Sequence, residues 1–80
     1  MPIVFHNVSR LKFFAIRARL RAQAERMEWT DNTVLASGDG LATDWSYDEA
    51  AQSLTVVYSK PWWRSDGYVT AKVQGLVESI

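Results

Sequence analysis

The stretch from Arg10 to about Glu28 contains neither glycine nor proline and is rich in Ala, Leu, Arg, Gln, Glu and Met, the strongest helix formers. Nothing else in the 80-residue chain restricts its fold so tightly. It predicts a long N-terminal helix, entered through Asn7 or Ser9, either of which can accept hydrogen bonds from the first free amides. At about 100° per residue the helix carries two apolar stripes. Leu11, Phe14, Ala15, Ala18 and Ala22 form one, and Phe13, Ile16, Leu20, Ala24 and Met27 lie roughly opposite. A helix resting on a core needs a single stripe, so the second must meet another element, a partner chain or a hydrophobic surface. The small side chains of Ala15, Ala18 and Ala22 let a partner approach closely, so that stripe is preferred for contact and the bulkier one for the sheet, with the reverse arrangement the alternative.

Beyond this helix the pattern changes to that of strands. "TDNT" is a turn by composition, "VLA" a short strand, and "SGDG" a tight reversal in which glycine permits positive φ. "LATDWSY" alternates Leu41, Thr43, Trp45 and Tyr47 against Ala42, Asp44 and Ser46, the period of a half-buried strand, and "LTVVYS" repeats the pattern with Leu54, Val56 and Tyr58. Ser65 or Asp66 can cap a last helix that places Val69, Val73, Leu76, Val77 and Ile80 on one side. The expected fold is one α+β domain over residues 1–80. It has a long N-terminal helix, a three-stranded antiparallel meander with "PIVF" available as a fourth strand, and a short C-terminal helix. Both helices cover one sheet face, and the other, with Thr55, Val57, Ala42, Asp44 and Ser46, faces water.

The residue inventory removes most chemistry. There is no cysteine, hence no disulfide, thiolate nucleophile or cysteine-based metal site, and the chain is read as cytoplasmic. His6 is the single histidine and reads as a surface or cap-region residue. Asp39, Asp44, Asp48 and Glu49 lack calcium-loop spacing, and "SGDG" lacks the strand-to-helix setting of a phosphate loop. The longest apolar run, "FFAI", is far short of a transmembrane segment. The expectation is a protein without catalytic residues, metal or cofactor.

Charge is balanced overall but divided along the chain. Up to Met27 there are Arg10, Lys12, Arg17, Arg19, Arg21 and Arg26 against Glu25; from Glu28 to Val57 there are Glu28, Asp31, Asp39, Asp44, Asp48 and Glu49 and no base. The preferred reading is a basic element neutralised by an acidic one within the domain. The alternative is a nucleic-acid surface along Lys12, Arg19 and Arg26, which repeat every seven residues on one helix border. "KPWWRSDG" adds adjacent tryptophans. If the chain stays extended through Pro61, Trp62 and Trp63 point to opposite faces, one joining the core and one standing exposed beside Lys60 and Arg64 as a binding hot spot or a saccharide-stacking platform.

The stretch "WTDNTVLASGDGL", with His6, Trp29, Asn32, Val34, Gly38, Gly40 and Val73 in similar order along the chain, resembles the small bacterial polyhydroxyalkanoic acid system (granule-region) proteins. Asp31-Asn32 in place of a Gly-Asp, and the "PWW" element, depart from that pattern. The resemblance implies association with a storage-granule surface or its proteins and brings no catalytic residues.

The combined expectation is a non-enzymatic protein-interaction module, a homo-oligomer with a dimer favoured, that self-associates through Leu11, Phe14, Ala15, Ala18 and Ala22, with Trp62, Trp63 and Arg64 at a rim.

Overall fold

Asp39 and Gly40 both adopt positive φ, 53° and 76°, and close a two-residue turn between paired Gly38 and Leu41. Such a turn follows the right-handed twist of the strands on either side. In the computed structural model, which describes residues 2–80, this hairpin is the centre of a five-stranded antiparallel sheet. The strands are β1 (Ile3–Phe5), β2 (Arg26–Trp29), β3 (Thr33–Gly38), β4 (Leu41–Asp48) and β5 (Ser53–Ser59), with α1 (Arg10–Gln23) after β1 and α2 (Asp66–Glu78) after β5. The spatial order is β1-β5-β4-β3-β2, so the first strand sits beside the last.

Two expectations need correction. The sheet has five strands, not three or four, and α1 is a short helix of 14 residues, barely longer than the 13 of α2. Both differences have one cause. Ala24 leaves the helix with ψ 144°, the Glu25 amide donates to the Ser37 carbonyl at 2.9 Å, and Arg26–Trp29 pairs along β3. Gly38 permits this: a Cβ there would stand 3.2 Å from the Glu25 nitrogen. Helix propensity over these residues is worth a few tenths of a kcal/mol each, which a ladder of sheet hydrogen bonds and the burial of Met27 against Ala36 override.

Alternation sorts the strand side chains into two faces. Val34, Trp45 and Val56 form one row across the sheet, and Leu54 and Tyr47 pair beside it; all five are at most 6% exposed. Phe13, Ile16 and Leu20 of α1 and Val69, Val73 and Val77 of α2 pack into the same cluster, so both helices lie on this face. Full burial stabilises by roughly 1.5–3 kcal/mol for each large apolar side chain. Ser9 caps α1, accepting from the Lys12 amide at 3.1 Å, and Ser65 caps α2, accepting from Tyr68 at 3.0 Å. The Tyr47 hydroxyl donates to the Val8 carbonyl at 2.7 Å and anchors the chain entering α1.

Candidate interaction surfaces

The buried positions of α1 follow the stripe of Phe13, Ile16 and Leu20, which turns the other stripe outward. Leu11 is 80% exposed; Ala18 and Ala22 are exposed, and Ala15 is half-buried. Phe14 lies to one side, beneath the guanidinium of Arg17 at 4.7 Å and of Arg10 at 5.7 Å. The helix has five cations and no acid. Arg10 alone finds an ionic partner, donating to Glu49 at 2.9 Å and to the Asp31 carbonyl at 2.7 Å while stacking 4.9 Å from the Tyr47 ring. The hydrogen bond to Glu49 raises the Arg10 pKa, and the same bond, helped by the guanidinium charge, lowers that of Glu49.

Among the described residues, Lys12, Arg17, Arg19 and Arg21 have no carboxylate within ion-pair distance. Arg19 reaches the Ser79 hydroxyl at 3.3 Å, and Arg21 lies over the Trp29 ring at 5.5 Å. Arg26 does not continue the line of Lys12 and Arg19. It belongs to β2, opposite Ser37, and faces away from the helices. The seven-residue repeat of cations is therefore broken by the same early helix end that creates the fifth strand.

Pro61 does not extend β5. The Arg64 amide donates to the Pro61 carbonyl at 3.1 Å, so the tryptophans sit in a turn and strand alternation does not apply to them. Neither is in the core: Trp62 is 92% exposed and Trp63 53%. The ring of Trp63 rests on the hairpin tip, 3.5 Å from where a Cβ on Gly40 would stand. Arg64 is held between two rings, 4.4 Å from Trp63 and 4.4 Å from Tyr68, and donates to Asp39 at 2.9 Å. Tyr68 and Lys72 approach the same carboxylate oxygen, at 3.3 Å and 3.8 Å. Arg64 is thus a clasp that fixes the turn and the start of α2 to the β3–β4 hairpin, and Trp62 is the freely presented aromatic.

Two concave regions lie elsewhere. One, of about 200 Å³, opens between α1 and α2 over Ala36, Thr43 and Trp45, with Glu25, Asp39 and Lys72 among its lining residues. Its floor has no spare donor: the Trp45 indole donates to the Thr43 hydroxyl at 2.8 Å, which donates to the Ala36 carbonyl at 2.9 Å. The other is a shallow depression of about 400 Å³ on the open sheet face, bounded by residues that include Arg26, Leu35, Asp44 and Val57. Leu35, 49% exposed, and Val57, 52% exposed, are large apolar groups there. Leu35 is legible as an outward residue only once the register of β3 is known.

His6 is exposed between β1 and α1. Among the described residues no group of three His, Asp or Glu side chains is placed to hold a metal ion, and no helix is long and apolar enough to cross a membrane. No family model, curated protein or solved structure matches the chain.

Proposed function

We propose that the protein is a non-enzymatic interaction module of the cytoplasm that self-associates through the outer face of α1. One observation carries this: the helix turns Leu11, Ala18 and Ala22 to solvent between cations that have no ionic partner among the described residues. Like charges four apart on a helix, such as Arg17 and Arg21, destabilise it by a few tenths of a kcal/mol. An acidic partner surface relieves that cost, and Leu11 and the alanines supply the apolar contact. Trp62, exposed in the turn before α2, is a second contact point of the same kind. Sedimentation tests the reading. The wild type is expected to exceed the monomer mass of 9.1 kDa at micromolar concentration, and Ala18→Glu to return it to that mass. A monomeric wild type removes self-association, and an Ala18→Glu variant that associates as before removes α1 as the surface that mediates it.

The unpaired cations of α1 also support a second reading, contact with a polyanion such as nucleic acid through Lys12, Arg17, Arg19 and Arg21. Its mark is an affinity that falls steeply as salt rises, since released counterions dominate such binding. Absence of binding at low salt ends it. The likeness to granule-region proteins adds a hydrophobic granule surface as a setting in which the outer stripe and Trp62 would be used.

A further inference from the structure

We propose that the open face of the sheet receives α1 of a second copy, so that copies join head to tail. This rests on the reading of α1 as a contact face and names what it contacts. The charge division along the sequence is not neutralised within the chain. Of the six acids between Glu28 and Val57, Glu49 alone pairs with α1, and Asp39 is taken by Arg64 and Lys72. Glu28 and Asp44 project from the opposite side of the sheet, with the whole core between them and the basic helix. Complementary charge left unused inside one copy is available between two.

The open face has the pattern to accept that helix. Its central row runs Glu28, Leu35, Asp44, Val57 across four strands, alternating acid and apolar groups. Leu35 and Val57 are two strands apart, about 10 Å, which matches the roughly 10 Å width of a helix. A depression of about 400 Å³ borders both, lined also by Arg26, Ser37, Ala42 and Asp44. Leu11 is the apolar group on the helix that such a depression accommodates, and the flanking Lys12, Arg17 and Arg19 are offered to Asp44 within the row and to Glu28 at its β2 end, where the two acids outnumber the one cation of the lining, Arg26. The docked helix gives the sheet a layer on its bare face, as two-sided sheets have.

A two-fold pair through α1 would instead set the four unpaired cations Lys12, Arg17, Arg19 and Arg21 against the same four. Because α1 and the open face lie on opposite sides of the sheet, two copies cannot satisfy both contacts with each other. The contact is heterologous, and a pair retains one free face of each kind and grows further.

The test uses one variant for each face. Leu11→Glu sets an acid among the cations of the helix, and Leu35→Arg a cation among the acids of the sheet; both replace side chains that are about half exposed or more. Each variant alone is expected to sediment at the monomer mass while the wild type associates in a concentration-dependent manner, and an equimolar mixture to recover at least the mass of a pair. Two different faces produce recovery on mixing, and no two-fold contact does. If the wild type associates but Leu35→Arg associates equally well, or the mixture stays monomeric, the sheet face is not the receptor and only the α1 reading survives. A wild type that is monomeric removes both. Far-ultraviolet circular dichroism confirms folding, and Ala22→Glu with Val57→Arg is the replacement pair should either first variant unfold.

Discussion

The two faces of the sheet are made by the same strands one residue out of step, and they behave oppositely. On the covered side the row Val34, Trp45, Val56 is at most 1% exposed, while on the open side Leu35 and Val57 are about half exposed with Asp44 between them. Hydrophobicity alone does not separate the rows, since each holds two aliphatic side chains. What separates them is the middle residue, an indole with its N–H satisfied by Thr43 on one side and the carboxyl side chain of Asp44 on the other. A carboxylate in the centre of a row keeps that face wet or reserves it for a cationic partner, because burying it unpaired costs several kcal/mol.

The contrast between the faces is most vulnerable at its centre. Trp45→Ala leaves a cavity where the largest fully buried side chain stood, and a loss of about 3–5 kcal/mol is expected in chemical unfolding, whereas Leu35→Thr on the open row should change stability by less than about 0.5 kcal/mol. A Leu35→Thr loss as large as that of a core residue would show that the open face is buried in solution. A smaller effect is expected where the helix layer meets the ends of the strands. Glu49 has its pKa lowered below the ordinary 4.5 by Arg10, so its stabilisation is fully present above that value and drains away as pH falls through the lower folded value. The unfolding midpoint should therefore fall on acidification below about pH 4.5, and Glu49→Gln should flatten that part of the profile. An unchanged profile in the variant would mean that the pair does not persist in water.

Legibility in the sequence divides along the same line. The strands from Leu41 and from Leu54, the Asp39-Gly40 reversal and the caps at Ser9 and Ser65 rest on local rules, namely alternation, positive φ and free amides, and the structure has them where those rules place them. The end of α1 does not rest on a local rule. Ala24 to Glu28 are good helix formers, and only the presence of β3 alongside, with Gly38 making room, turns them into strand. Arg26 lands on the sheet, away from the helix border, as a consequence. The tryptophan pair departs from expectation for a related reason: alternation holds inside a ladder, and Pro61 takes the chain out of it. For the candidate site, the helical period yields two stripes without saying which faces out, and only the small size of Ala18 and Ala22 against the bulk of Phe13, Ile16 and Leu20 favours the outcome seen; Arg64 reads as a free hot-spot residue until the hairpin brings Asp39 to it.

The neighbouring positions of β1 and β5 set when this domain can form. Ile3 pairs with Val56 and Phe5 with Leu54, so the first strand waits for the last one to be made. The β2 to β5 meander has only short loops to close and can assemble first, while the edge that β1 covers stays open until the chain returns to it. During that interval the unpaired side of β5 is a template for any extended segment. Within this domain, the strand made first is therefore the last to find its place.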